Sequence, residues 1–355
     1  MRILILGDSY FPSDAYRASF AALAARHEVA FADVVDDLAW VAASPSERRL
    51  REVNGNPAQV IAALDHHEVL VMQGAPVTDA VLDASPELRL VCCARGGPVN
   101  VDLEAATARG IPVVTTPGKN ADAVADLTVA FLVMLARRLP EVARFIEGGG
   151  EFGHDNYEGR SWFGHDLAGQ VLGLVGFGQV GSRVAFRARG FGMRVLAHDP
   201  FVAPAALAAA GAEPVEMDAL LAASDFVSLH ARASAGDPPL IGRDEIARMK
   251  RGAILVNTAR AGLVDEGALL DALASGALAG AAFDLVSPSP ASGRHPLLAF
   301  PNVIITPHIG GSTAETLRHA AEMAAAEIER LLAGEPLVNV ANRAGLEAAQ
   351  PGSAA

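Results

Sequence analysis

The chain has 355 residues and a mass of 36.7 kDa, with 51% hydrophobic and 19% charged residues. That is enough for about two domains of ordinary size and excludes disorder over most of the length. A formal net charge of −13 and a pI near 5.2 leave no basic excess to displace counterions, so neither nucleic acid nor an anionic membrane is expected as a partner. The two cysteines, Cys92 and Cys93, adjoin inside an apolar run. They cannot form a disulfide framework and lack zinc-site spacing, so no metal is expected. No charged segment followed by an apolar one opens the chain. The most apolar helix candidate, 121–139, carries Asp122, Asp126, Arg137 and Arg138, too charged and too short to span a bilayer. A soluble cytoplasmic protein is expected.

Short apolar runs alternate with helical patterns, which argues for α/β layers around parallel sheets. The first series has strand candidates at 2–7, 27–34, 68–72, 88–94 and 111–115 and ends at Pro117-Gly118. Gly7-Asp8-Ser9 after the first run has no second or third glycine and reads as the start of a substrate-side domain. A long helix follows from about Asn120. The segment 147–164 (EGGGEFGHDNYEGRSWFG) is too long for an ordinary connection and suggests a hinge crossing or an oligomer arm. The second series has strand candidates at 171–175, 193–197, 226–229, 253–257, 279–283 and 303–306. The helix after Ser312 has no strand behind it and is expected to return to the first domain. The last residues, 343–355, rich in Ala, Gly, Pro and Ser, are expected to form a flexible tail.

Gly176-Phe177-Gly178-Gln179-Val180-Gly181 is a GxGxxG with a strand before it and a helical pattern behind. Asp199, at the end of the next strand, stands 18 residues after Gly181, close to the spacing of a ribose-binding acid. Gly176 permits the tight turn, Gly178 lets backbone approach a pyrophosphate, and Gly181 lets helix and strand pack closely. The helix N-terminus then meets the phosphate charge. Asp199 would repel a 2′-phosphate, and no Lys or Arg stands within the next few residues, so NAD is expected over NADP. Ligands of open α/β sheets sit at the carboxyl ends of strands. Those ends carry His230, Arg260, Asp284 and His308. A guanidinium can hold a carboxylate and polarise a carbonyl, and an imidazole can deliver or remove a hydroxyl proton. Both are what reduction of a 2-oxo acid against a nicotinamide requires.

In these motifs the chain resembles the NAD-dependent D-isomer-specific 2-hydroxyacid dehydrogenases, which include D-3-phosphoglycerate, D-lactate and glycerate/glyoxylate enzymes. The matching stretches run in order from ATARGIPVVTTP at 106–117, through 121–138, 172–184, 225–230 and 249–266 (ending NTARAGLVDE), to 278–285 and NVIITPHIGG at 302–311. The resemblance implies two doubly wound parallel-sheet domains: a discontinuous flavodoxin-like substrate domain, 1–119 and 313–342, and a Rossmann NAD-binding domain, 120–312. It implies that Arg260 binds the substrate carboxylate and carbonyl and that His308 is the acid/base. The loop ARGGPVNVD at 94–102 matches the glycine loop whose amides take the substrate carboxylate, which points to Gly96 and Gly97 with Arg95 close by. The cofactor set implied is Gly176, Gly178, Gln179, Val180, Gly181, Asp199, Pro200, His230, Thr258, Ala259, Asp284, Gly310 and Gly311. The expected partner is a small 2-hydroxy or 2-oxo acid, and relatives suggest a homodimer.

The chain departs from the family in three places. Ser289 occupies the position of the Glu that normally faces the acid/base His, and no Asp or Glu lies between Leu285 and Ala314. Without a facing carboxylate the imidazolium form of His308 loses a stabilising charge, which predicts reduction that is slower at neutral pH and improves toward acid. Asp126 stands where relatives carry Glu, and Arg232 where they usually carry Pro. Two rival readings remain. A non-catalytic NAD(H)-binding sensor is favoured by Ser289 and disfavoured by the retention of Arg260 and His308. A 3-phosphoglycerate dehydrogenase would need two or more basic groups for the distal phosphate. Cys92 and Cys93 read as core packing, His66 and His67 as surface, and His295 as a loop residue.

Overall fold

The computed structural model describes residues 1–150, 159–232, 236–286 and 294–349. The chain divides into two compact units, residues 1–119 with 313–355 and residues 120–312. In the first unit, β1 (Arg2–Gly7), β2 (Glu28–Asp33), β3 (Val69–Met72), β4 (Leu90–Cys93) and β5 (Val113–Thr115) form one parallel sheet in the order β2-β1-β3-β4-β5. That is the flavodoxin-like doubly wound order. β3 reads VLVM and β4 LVCC, all buried, the continuous apolar run of a strand covered on both faces. One face packs Leu4, Leu6, Val60, Leu70 and Met72, the other Ile3, Ile5, Tyr16, Phe20 and Cys92. Both thiols are free and buried, and burial pushes both up, Cys93 to about 12. They are core residues. The helix Ala314–Ala333 lays Ala320, Ala321, Ala324 and Ile328 on the second of these faces. Thr313 caps its start by accepting from the Thr316 N–H at 3.1 Å, and Gly334 ends it in the left-handed conformation, as helix ends of this kind favour.

The second unit holds β6 (Val171–Val175), β7 (Arg194–His198), β8 (Glu213–Pro214), β9 (Phe226–Leu229), β10 (Ala253–Asn257), β11 (Leu278–Phe283) and β12 (Val303–Ile305). They form a parallel sheet ordered β12-β11-β10-β9-β6-β7-β8. Counted within the unit this is the dinucleotide-binding order with one strand added, and its topological switch point lies between β6 and β9.

Two sequence expectations change. The helix expected over 121–139 runs from Ala121 to Ala136, and a separate helix occupies Leu139–Glu147 after Arg138 in the left-handed region. Pro140 is the cause, since it has no N–H and its ring would strike the carbonyl of Ala136. That freed carbonyl accepts from the His165 N–H at 2.8 Å instead. Residues Arg343–Ala349 of the expected tail are helical, based on Asn342, whose side chain bonds the Val113 N–H and the Ile111 carbonyl. His295 is a loop residue, as expected, and a buried one: its Nδ1 accepts from the Leu297 N–H and its Nε2 lies 3.5 Å from Glu266 Oε2. Of the expected arm at 147–164, residues 151–158 lie outside the described residues, as does Ser289. No helix among the described residues is long and apolar enough to cross a membrane, and no group of three or more potential metal-ligating His, Cys, Asp or Glu side chains occurs among them.

Candidate active site and cofactor site

Because every strand of the second sheet is parallel, all carboxyl ends lie on one edge. Read from β12 toward β7, that edge carries in turn His308, Asp284, Arg260, His230, the turn Gly176–Gly181 and Asp199. Residues spread over 132 positions of sequence thus stand in one row, with neighbouring strands about 4.8 Å apart.

The glycine turn has the shape the sequence implies. Gly176 sits at φ +93°, and a Cβ there would lie 2.7 Å from the backbone of His230 and Ala231. A Cβ on Gly181 would lie 2.4 Å from the Gly176 carbonyl, so helix Gln179–Gly190 and strand β6 approach at backbone distance. Around Gly178 nothing lies within 4 Å of a built Cβ. The first N–H groups of that helix, at Gln179, Val180 and Gly181, face no protein acceptor among the described residues, which leaves an anion-binding terminus. Asp199 accepts from the Phe177 N–H through Oδ2 at 2.7 Å and from the Phe201 N–H through Oδ1 at 2.9 Å. Each oxygen keeps a second lone pair for a hydroxyl. Pro200 follows it, exposed. These residues fit a dinucleotide. An open approach would bring a diphosphate to amides that are unpaired among the described residues, and a fixed carboxylate stands one strand away.

Toward β10 the edge turns polar. His230 Nε2 lies 2.9 Å from Ser228 Oγ, and burial pushes the imidazole down to about 4, so it is neutral at physiological pH. Thr258 pairs with Thr128 through their hydroxyls at 2.9 Å, fixing the turn after β10 to helix Ala121–Ala136. Asn257 closes that turn by donating to the Arg260 carbonyl and accepting from the Ala259 N–H. Arg260 is exposed, and its guanidinium reaches only the Ala259 carbonyl among the described residues, at 2.7 Å. It makes no ion pair among them.

Asp284 is 2% exposed and ties two strand ends together. Its Oδ1 accepts from Thr306 Oγ1 at 2.6 Å and the Ile309 N–H at 2.9 Å, and its Oδ2 from the Gly310 N–H at 2.7 Å. Its carbonyl accepts from the His308 N–H at 2.7 Å. His308 itself takes φ +57° and is exposed, and its ring has no partner among the described residues. A Cβ on Gly310 would lie 2.6 Å from Asp284 Oδ2 and displace the carboxylate that its own N–H bonds, and one on Gly311 would lie 2.7 Å from Asn120 Nδ2. A cavity of about 430 Å³ opens beside the Arg260 turn, lined by residues that include Ala261, Gly262, Glu266, Phe283 and Leu297. Arg232 is exposed, and Asp126 forms an exposed ion pair with Arg187 at 2.6 Å.

In the first unit, Gly96 and Gly97 follow β4 with nothing within 4 Å of a built Cβ, and their N–H groups meet no acceptor among the described residues. Asn100, fully buried, supports the loop by donating to the carbonyls of Gln73 and Ala75. Arg95 is committed to Glu52, bonding both its carboxylate and its carbonyl. Sequence reasoning did not find Thr128, Asn257, Asn100 or Thr306. Thr128, Asn100 and Thr306 act through partners that only tertiary packing brings near, whereas Asn257 closes its own turn locally.

The NAD-binding domain of the D-isomer specific 2-hydroxyacid dehydrogenases matches residues 129–310. Curated relatives include D-3-phosphoglycerate dehydrogenases of Archaeoglobus fulgidus, 36% identical over 81% of this chain and 54% of that protein, and of Mycobacterium bovis, 36% identical over 88% and 58%. The chain thus spans little more than half the length of these relatives. Among solved structures, a protein of Thermus thermophilus is 34% identical with TM-score 0.75, covering 96% of this chain and all of that one. A glyoxylate reductase from Paecilomyes thermophila is 27% identical with TM-score 0.73, covering 97% and 99%. With the strand order, the glycine turn and Asp199 in place, the second unit is an NAD-binding domain, and the chain belongs to the D-isomer specific 2-hydroxyacid dehydrogenase family.

Proposed function

We propose that the protein is an NAD-dependent dehydrogenase interconverting a small D-2-hydroxy acid and its 2-oxo acid. The observation that carries this is the pair Arg260 and His308, on strand ends separated only by β11 and so about 10 Å apart, at the end of the edge remote from Asp199. Arg260 offers a guanidinium with no ion pair among the described residues, which would grip a carboxylate and polarise the adjoining carbonyl. In the first unit the Gly96 and Gly97 amides offer N–H donors of their own to a carboxylate. His308 would give its proton to the carbonyl oxygen in reduction and remove it from the hydroxyl in oxidation. Bound NAD(H) supplies the hydride acceptor or donor. Asp284 would hold the turn that carries His308 and stand beside the nicotinamide.

D-3-phosphoglycerate is a second substrate to test, because the curated relatives carry that name. The commitment of Arg95 to Glu52 weighs against it, since it removes the nearest cation for a distal phosphate.

The test is NADH consumption at 340 nm against glyoxylate, hydroxypyruvate, pyruvate, 2-oxoglutarate and four-carbon hydroxy-oxo acids from pH 5 to 8, beside His308→Ala. The expected result is turnover that rises toward pH 5 and falls about 10²–10⁴-fold in the variant, with NADH affinity retained. Tight NADH binding with no turnover anywhere on the panel would replace this reading with the sensor.

A further inference from the structure

One cation on the carboxyl edge of the first sheet has no role in the scheme above. Lys119 follows β5 and the turn that begins at Thr116, and its side chain returns over β4 so that Nζ donates to the Ala94 carbonyl at 2.5 Å. Ala94 links β4 to the Gly96–Gly97 loop. The Phe11 ring lies 5.8 Å from the ammonium.

The charged and titratable groups around it are Asp8 beyond β1, the Cys93 thiol on β4 and Arg95 behind β4. On helix Ala314–Ala333, His319 Nδ1 lies 3.3 Å from the Lys119 carbonyl. None of these is a counter-ion at ion-pair distance. Asp8 spends its oxygens on the N–H groups of Tyr10, Phe11 and Gly74, and Arg95 is neutralised by Glu52. An ammonium has three donors, and only the Ala94 carbonyl takes one among the described residues. Burial pushes Lys119 down to about 8, Arg95 adds to that, and Cys93 and Asp8 oppose it. Two hydroxyls of the same unit, Tyr16 and Thr116, are buried with no hydrogen-bond partner among the described residues. Tyr16 stacks on Phe11 at 4.0 Å, and Thr116 is three residues before Lys119.

A half-buried cation without a counter-ion is costly until an anion arrives. The open amides of Gly96 and Gly97 begin two residues beyond the carbonyl that Lys119 grips, at most about 7 Å along the chain. We propose that Lys119 is a substrate-binding residue that supplies the counter-charge for the carboxylate held by the Gly96 and Gly97 amides. The first unit then carries an anion site of its own, built from one ammonium and two backbone N–H groups. The inference rests on the 2-oxo-acid reading and deepens it: substrate enters best while Lys119 is protonated.

The probe is oxalate, whose fused carboxylates imitate the first two carbons of a 2-oxo acid, titrated by calorimetry into the NADH complex from pH 6.5 to 9.5. In the wild type, affinity should hold steady below pH 7 and fall by up to about tenfold per pH unit above the Lys119 midpoint near 8. Lys119→Met should bind about tenfold more weakly at pH 7, the loss of one charge-assisted contact, and show no such fall. Lys119→Arg should keep its affinity through pH 9.5, because a guanidinium does not deprotonate there. A flat wild-type profile, or a folded Met variant with wild-type affinity, would overturn the proposal. If the Met variant does not fold, the wild-type and Arg profiles decide alone. Lys119-dependent oxalate binding without turnover of any 2-oxo acid would uphold the anion site and overturn the dehydrogenase. Turnover with a Lys119-independent profile would do the reverse.

Discussion

Gly178 and Gly176 belong to one turn, yet alanine should affect them in different ways. Gly178 has φ −76° and ψ −151°, and its built Cβ meets nothing within 4 Å. Alanine at a helix N-cap is worse than glycine by about 0.5–1 kcal/mol, and the stiffer unfolded chain returns about 0.4–1 kcal/mol. Folding stability should therefore change by less than about 0.5 kcal/mol, a shift of less than about 1 °C in Tm for a chain of this size. The new methyl, however, would occupy the space through which, on the proposed assignment, a diphosphate reaches the amides of 179–181. Losing one hydrogen bond to a charged group, about 1.5–3 kcal/mol, raises the NADH Kd about 10- to 100-fold. Gly176→Ala instead meets backbone at 2.7 Å and forces a side chain onto φ +93°. It should cost at least about 2 kcal/mol of stability as well as the cofactor. Calorimetric Tm and NADH fluorescence titration separate the two effects. A folded Gly178→Ala protein that binds NADH within twofold of wild type would refute the assignment of this turn to the diphosphate.

Arg260→Lys should leave Tm unchanged, because the guanidinium makes no ion pair among the described residues. It should lower kcat/KM for 2-oxo acids at least about 100-fold, since a point charge cannot replace a bidentate fork; steady-state kinetics on the best substrate of the panel would measure this. His230 is held neutral well below its ordinary midpoint, to about 4, so the unfolded chain binds the extra proton between about pH 6.5 and 4. Stability contributed by the neutral ring is present above 6.5 and is lost as pH falls to 4, at most about 3 kcal/mol for this half-buried group. Urea unfolding at pH 7 and pH 4.5 should show that loss, and His230→Asn should show less of it.

The strands were readable because parallel sheets bury both strand faces, so runs such as FVSL at 226–229 and AILVN at 253–257 stand out as unbroken apolar segments. Where burial is partial the reading thins. The two residues of β8, Glu213–Pro214, have no periodicity to read, and the helix Pro45–Arg49 announces itself only through the reciprocal cap of Ser44 and Glu47. The break at Arg138 was written in Pro140, but a continuous apolar pattern concealed it. At the site, the glycine turn is local and therefore legible, its spacing being the geometry. The Thr128–Thr258 pair spans 130 positions and the Lys119–Ala94 bond 25. Nothing in the intervening sequence encodes such contacts, which exist only after the strands have chosen their neighbours.

The turn that carries His308 has a consequence for how the side chain meets a ligand. Its backbone is anchored at the His308, Ile309 and Gly310 N–H groups to a single aspartate of the neighbouring strand. Only the two torsions of the imidazole would remain to be ordered if a ligand engages the ring as proposed, a cost of about 0.5–1.5 kcal/mol for one side chain. The entropy of bringing the ring to the edge of the sheet is spent during folding, when the Asp284 carboxylate is buried. Binding then selects among a few rotamers of a preorganised residue instead of recruiting a loop. The Ile309 and Gly310 amides should accordingly exchange with solvent at the pace of the sheet's own opening and not at that of a surface turn.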